Sequence, residues 1–323
     1  MPHPIWFERP VHPDLSGLVG PEVEMLGPGS GADPFAGIEG ARGVMASTLA
    51  YGPEVMDRAG LLLVIARTGI GYDQVDLEAA TRRGIAVCNT PDAPTVSTAE
   101  HTIALLLAVT KNVVGAAAAL AGAAGGYYTT HRALELEGKT LGLVGFGRIA
   151  RRVAQAAAGL GMKVTAYDPL VPAAEFFVDR ASDLDELARQ ADVISIHVPL
   201  TPDTRHLFDR RRLRSMRPGS VLVNTSRGAV VDHGALLEVL QSGHLWGAAL
   251  DVTDPEPLPP DHPLLHRSDV VITPHVASGT AEGRRRIFTT ALAQVLAVLN
   301  GGRPDHLVNA EVWAQRRGKA YHR

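Results

Sequence analysis

The chain has 323 residues, 46% hydrophobic and 20% charged, which allows two domains with their own cores and excludes a disordered composition. A formal net charge of −3 excludes a general attraction to nucleic acid or to an anionic membrane, and no run of about 18 apolar residues suggests a membrane span. Cys88 is the one cysteine, so no intrachain disulfide forms; the opening MPHPIWFERP lacks a signal-peptide pattern, and a reducing, cytoplasmic setting is expected.

In the first hundred residues, short apolar runs at 4–7, 44–47, 61–66 and 85–89 alternate with helical stretches at 52–59 and 76–83. That alternation predicts βα units on a parallel sheet. Residues 97–112, STAEHTIALLLAVTKN, read as a helix capped by Ser97 or Thr98, with Glu100 in its first turn. The Ala/Gly-rich stretch 113–126 is too short and too rich in small residues for a membrane span. A second series begins at Lys139, with strands predicted at 141–144, 163–167, 193–198, 220–224, 247–252 and 270–273. Six strands with intervening helices match a doubly wound nucleotide-binding sheet. A helix over 280–299 and a short tail follow, too small for a domain and expected to pack back on the first one.

Two glycine patterns compete for a dinucleotide. Gly27-Pro28-Gly29-Ser30-Gly31-Ala32 has a proline in the turn, is followed by loop-like sequence, and has no acidic strand end about 20 residues on. It reads as a surface loop. Gly145-Phe146-Gly147-Arg148-Ile149-Ala150 follows the apolar run LGLV and opens a helix. There the first glycine permits the turn, the second lets amides approach a pyrophosphate, and Ala150 lets helix and strand pack closely. The helix start offers unpaired N–H groups and partial positive charge. Asp168 ends the next strand, where a carboxylate accepts hydrogen bonds from an adenosine ribose and repels a 2′-phosphate. Pro169-Leu170-Val171 supplies no cation, so NAD is favoured over NADP. A βαβ turn that binds no nucleotide is the plainer alternative.

Three polar residues end apolar runs in this second half: Arg227 in NTSRGAVVD, Glu256 in ALDVTDPEPL and His275 in TPHVASGT. Ligands of open α/β sheets sit beyond the carboxyl ends of strands, so these residues can converge. Arg227 would grip a substrate carboxylate and polarise the keto oxygen. His275 would give or take the proton, and Glu256 would orient the ring and favour its charged form. Singly, each is as readily a capping arginine, a loop carboxylate and a loop histidine; their conjunction in one nucleotide-binding domain changes the odds. The run DRRRLRSMR (209–217) has no stacking aromatics and reads as solvated charge. His262 and His266 lie among prolines and read as loop residues, so no metal is expected.

With RTGIGYDQVDLEAATRRGIAVCNTP, GKTLGLVGFGRIAR and HVPLTPDT added to those three segments, the chain resembles the D-isomer-specific 2-hydroxyacid dehydrogenases over nearly its full length. The resemblance implies a Rossmann NAD-binding domain (101–289) inserted in a discontinuous flavodoxin-like substrate domain (1–100 plus 290–323), hinged together, usually in a dimer. It implies Arg227, Glu256 and His275 as the catalytic set and Asp251 at the nicotinamide carboxamide. Gly145, Gly147, Arg148, Ile149, Asp168, Val198, Pro199, Thr225, Ser226 and Ser278 then surround NAD. Amides near Ile70 and Gly71 would cradle the substrate carboxylate. Phosphoglycerate dehydrogenases and hydroxypyruvate or glyoxylate reductases are the members it resembles most. Arg67 matches one phosphate-contacting position, but Ala46 stands where another arginine is expected, which favours a small unphosphorylated 2-keto acid. D-3-phosphoglycerate and a non-catalytic, NAD-sensing interaction role are the alternatives, and Ile70, in place of a lysine, argues against phosphite.

Overall fold

The computed structural model describes residues 1–122, 125–171 and 177–317. Residues 318–323 of the expected substrate domain, and 123–124 of the Ala/Gly-rich stretch, lie outside the described residues. The chain forms two compact units, Met1–Pro94 with Thr280–Arg323, and Thr95–Gly279. These divisions precede the expected ones by six and ten residues. The chain changes unit just before a helix begins in both cases, so each helix packs whole within one core.

The first unit carries β1 (His3–Phe7), β2 (Val23–Leu26), β3 (Gly43–Ala46), β4 (Val64–Arg67) and β5 (Ala86–Cys88), in the order β2-β1-β3-β4-β5. Every pairing is parallel, and this is the flavodoxin-like order. Alternating side chains serve two cores, as a sheet covered on both faces requires. Ile5, Phe7, Met45, Val64 and Ala66 face one core; Trp6, Val44 and Ile65 face the other, beside Met56 of α1 (Pro53–Arg58) and Ala79 of α2 (Leu77–Arg82). Asp76 caps α2 by accepting from Ala79 N at 2.8 Å. Strand β2 has no apolar run; Glu24 and Met25 are exposed at the sheet edge.

The inserted unit opens with α3 (Thr95–Thr110), α4 (Val113–Ala121) and α5 (Tyr127–Thr130). Helix α3 starts two residues before Ser97, which is itself inside the helix and buried. No single described helix is long and apolar enough to cross a membrane; α3 and α4 meet that length only as a pair bent by 58°. The sheet follows as β6 (Thr140–Val144), β7 (Lys163–Tyr167), β8 (Asp179–Arg180), β9 (Val193–Ile196), β10 (Val221–Asn224), β11 (Gly247–Leu250) and β12 (Val270–Ile272). Its order, β12-β11-β10-β9-β6-β7-β8, reverses direction at β6 and is that of a doubly wound dinucleotide fold. Two-residue β8, exposed at the edge, is the strand the apolar pattern omits. Helices α3 and α6 (Arg148–Gly159) cover one face through Leu105, Leu106, Val109, Val153 and Ala157. Helices α7 (Leu184–Gln190), α8 (Arg210–Ser215) and α9 (His233–Gln241) cover the other through Leu187, Leu213 and Leu236. The arginines of 209–217 pair with acids of neighbouring helices: Arg211 and Arg212 with Asp185, Arg210 and Arg214 with Glu238.

The chain then returns to the first unit as α10 (Ala281–Leu299), capped by Thr280, whose Oγ1 accepts from Gly283 N at 2.9 Å. Phe288, Leu292, Val295 and Leu299 fill the core over β1, β4 and β5. The tail is stitched on by Asn309, whose Oδ1 accepts from Val87 N at 2.8 Å and whose Nδ2 donates to Ile85 O at 3.0 Å.

Candidate active site

Register brings the three expected catalytic residues to one end of the inserted sheet. Asn224, Leu250 and Ile272 are direct cross-strand partners at the carboxyl ends of β10, β11 and β12. Adjacent strands lie about 4.8 Å apart. Arg227 follows three residues past Asn224, Asp251 and Glu256 follow Leu250, and His275 follows three past Ile272.

His275 and Glu256 touch: Nδ1 lies 2.6 Å from Oε1. With Nδ1 donating to the carboxylate, Nε2 is left as the ring atom able to exchange a proton. His275 sits at φ 53°, in the left-handed region that side-chain-bearing residues adopt at a cost. The turn is held by His275 N, which donates to Asp251 O at 2.8 Å and Thr273 O at 3.0 Å. Asp251 is buried, and its carboxylate takes Thr273 Oγ1 at 2.6 Å, Val276 N at 2.9 Å and Ala277 N at 2.9 Å. Burial pushes its pKa up, but the bonds from His101, Thr273, Val276 and Ala277 outweigh it, so it titrates below the ordinary aspartate value.

Arg227 is placed by Asn224, which is fully buried. Asn224 Oδ1 accepts from Ser226 N at 3.0 Å and Ser226 Oγ at 2.8 Å, and its Nδ2 donates to Arg227 O at 2.9 Å. Arg227 Nη1 donates to Ser226 O at 2.8 Å. Thr225 Oγ1 lies 2.9 Å from Thr102 Oγ1, tying this loop to α3. Gly228 joins the arginine loop to the glutamate loop, because a Cβ there would fall 2.0 Å from the Thr253 carbonyl carbon. Only a glycine lets these two backbones approach so closely.

The glycine turn has the form a dinucleotide needs. Gly145 has φ 88°, and a Cβ on it would lie 2.8 Å from His197 O. At Gly147, the N-cap of α6, a Cβ would meet nothing within 4 Å, and no side chain caps the helix. Open space above uncapped amides is what a pyrophosphate fits. Arg148 and Ile149 form the first helical positions, and Ala150 is fully buried against the sheet. Asp168 accepts from Phe146 N at 2.8 Å and Leu170 N at 2.8 Å, so it fixes the turn at the end of β7. Val198 and Pro199 follow β9, which pairs with both β6 and β10. His197 beside them bonds Ser195 Oγ at 2.9 Å, and burial draws its pKa down to about 4. Ser278 lies partly buried just past the histidine loop.

Ile70 and Gly71 belong to the first unit, in the loop after β4. Ile70 O accepts from Asn89 Nδ2 at 2.8 Å, and Gly71 O from Arg67 Nε at 2.9 Å. Sequence reasoning passes over Asn224, Gly228, His101 and Thr273. Asn224 has a signal, as a polar residue closing an apolar strand; the others act through contacts distant in sequence. His262 and His266 each bond within their own loop, to Leu264 N at 3.3 Å and Pro260 O at 2.9 Å.

A family model described as "D-isomer specific 2-hydroxyacid dehydrogenase, NAD binding domain" matches residues 103–277. A glyoxylate reductase of Thermofilum pendens is 43% identical over 272 residues, covering 80% of this chain and 78% of that protein. A D-3-phosphoglycerate dehydrogenase of Methanocaldococcus jannaschii is 41% identical over 79% of this chain, which spans only 49% of that longer protein. The crystal structure of TT0316 protein from Thermus thermophilus superimposes with a TM-score of 0.86 at 42% identity, covering 94% of this chain and 99% of that one. The parallel sheets, the glycine turn and the joined strand-end loops thus agree with sequence similarity over most of the length: the chain belongs to the D-isomer specific 2-hydroxyacid dehydrogenase family and is an NAD-dependent oxidoreductase acting on the CH–OH group of a 2-hydroxy acid.

Proposed function

We propose that this enzyme reduces a small unphosphorylated 2-keto acid, glyoxylate or hydroxypyruvate, with Arg227, Glu256 and His275 as its catalytic residues. The observation that carries the reading is the 2.6 Å contact between His275 Nδ1 and Glu256 Oε1, on a loop adjoining the one that bears Arg227. NAD, when bound, supplies or accepts the hydride at C2. Arg227 pairs with the substrate carboxylate and polarises the keto oxygen, and His275 Nε2 protonates that oxygen in reduction or deprotonates the hydroxyl in oxidation. Glu256 keeps the ring oriented and compensates its positive charge. Gly145, Gly147, Arg148 and Ile149 hold the pyrophosphate; Asp168 reads the ribose; Val198, Pro199, Thr225, Ser226, Asp251 and Ser278 line the rest of the cofactor site. Ile70 and Gly71 are the proposed carboxylate contacts from the first unit.

Two observations support an unphosphorylated substrate. Arg67 is 9% exposed and commits Nε to Gly71 O and Nη1 to Ala46 O, so it serves the backbone of its own unit. Ala46 itself carries no charge. We also assign the first unit, with α10, as the substrate domain, the assembly as a homodimer, and the setting as a reducing cytoplasm suited to the buried thiol of Cys88. The apolar residues Val113, Val114 and Leu120, exposed on α4, support the dimer. The test is NADH oxidation with a panel of glyoxylate, hydroxypyruvate and pyruvate, and NAD reduction with D-3-phosphoglycerate. Turnover of phosphoglycerate in preference to the keto acids would overturn the substrate assignment. Tight NADH binding without turnover of any of them would point to a sensor.

A further inference from the structure

Helix α3 reaches the loop that carries His275 through one polar chain. His101, with 23% of its side chain exposed, places Nε2 3.0 Å from Thr273 Oγ1 and 3.4 Å from Asp251 Oδ1. Thr273 Oγ1 lies 2.6 Å from the same Asp251 oxygen. The direction of these bonds follows from the groups. An ionised carboxylate only accepts, so the threonine spends its single proton on Asp251 and must itself accept from His101 Nε2. His101 is therefore protonated on Nε2. Asp251 in turn fixes the amides of Val276 and Ala277, and its carbonyl takes the amide of His275.

A left-handed turn at a non-glycine residue persists only where its surroundings over-determine it. Here those surroundings trace back to α3. His101 anchors the histidine loop, and the next residue, Thr102, anchors the arginine loop through Thr225. We propose that His101 is a positioning residue for hydride transfer: by donating to Thr273 it locks the Thr273–Asp251 pair, which holds His275 in the turn that aims its imidazole. The inference rests on His275 being the acid–base group. Removing the donor leaves a partly buried hydroxyl lone pair without its partner and loosens the aim of the ring, not the grip on the substrate.

The test uses the full-length protein with NADH and glyoxylate, or hydroxypyruvate if glyoxylate is not reduced. His101→Ala is expected to lower kcat roughly tenfold, as expected for a lost hydrogen bond within a charged network, with KM for the keto acid changed by less than about twofold. His101→Gln, whose amide can put an N–H near the place of Nε2, should restore most of kcat, whereas the shorter His101→Asn should not. The Ala variant combined with Thr273→Val should be no slower than Thr273→Val alone, because both break the same chain. Wild-type kcat in His101→Ala, or equal kcat in the Gln and Asn variants, would overturn the proposal. If His101→Ala does not fold, the Gln–Asn comparison decides. His275→Ala runs alongside: if it retains turnover, the acid–base reading fails and this inference with it. If it is inactive while His101→Ala is unimpaired, the positioning role alone falls.

Discussion

At the scale of single residues, the proposed site separates a group assigned to move a proton from groups that hold a shape. His275→Ala removes the atom proposed to exchange a proton with the carbonyl oxygen. We expect at least about a hundredfold loss of kcat with NADH still bound, read by steady-state kinetics and fluorescence titration. Asp168 braces the amides of Phe146 and Leu170 besides its proposed contact with the ribose. Asp168→Ala should therefore narrow the preference for NADH over NADPH and also lower the melting temperature; an unchanged ratio of kcat/KM for the two cofactors would mean another residue reads the ribose. His197 adds a pH dependence of stability. Its pKa is about 4 in the folded protein against 6.5 for the exposed group, so the unfolded chain takes up the proton first as pH falls. Its stabilising effect is complete at neutrality and is lost as pH falls from 6.5 towards 4. Between pH 7 and pH 5 this amounts to about 2 kcal/mol, and His197→Gln should remove that share from urea midpoints measured at both pH values.

At the scale of elements, the close approach of Gly228 to Thr253 joins the loops that carry Arg227 and Glu256, two of the proposed catalytic side chains. Gly228→Ala must push them apart, so we expect a loss of about 1–3 kcal/mol in stability and a fall in kcat. A fully active, equally stable variant would show that the loops relax independently. The same elements explain what can be read from the amino acids alone. Strands such as β6, β9 and β10 are apolar runs buried on both faces, and Gly145, Arg227, Glu256 and His275 stand where such runs stop. Strand β2 is not legible because its exposed Glu24 and Met25 break the pattern, and β8 because two residues carry no period. The start of α3 is misplaced by sequence because Ser97 and Thr98 look like caps yet are buried inside the helix. His101 is invisible for a different reason: its partner Thr273 is 172 positions away, and local sequence says nothing of such a bond.

At the scale of the whole molecule, the described face of α4 offers exposed Val113, Val114 and Leu120 beside exposed Tyr128. A charged residue on that face should oppose self-association without touching the loops that carry Arg227, Glu256 and His275. We expect Val114→Asp with Leu120→Asp to halve the mass measured by light scattering; an unchanged mass would place the dimer contact elsewhere, and a monomeric parent protein would remove the dimer altogether.

The stitch between the tail and β5 has a consequence for how the chain emerges from the ribosome. Asn309 supplies hydrogen bonds to Val87 and Ile85, and Phe288, Leu292 and Val295 close the core over the first strands. Every residue of the inserted unit has been synthesised by Gly279, whereas the strands of the first unit need α10, which follows it. Translation therefore supplies the whole cofactor-binding unit before α10 arrives to cover the apolar face of β1, β3, β4 and β5, so the first unit's core closes after the inserted one can.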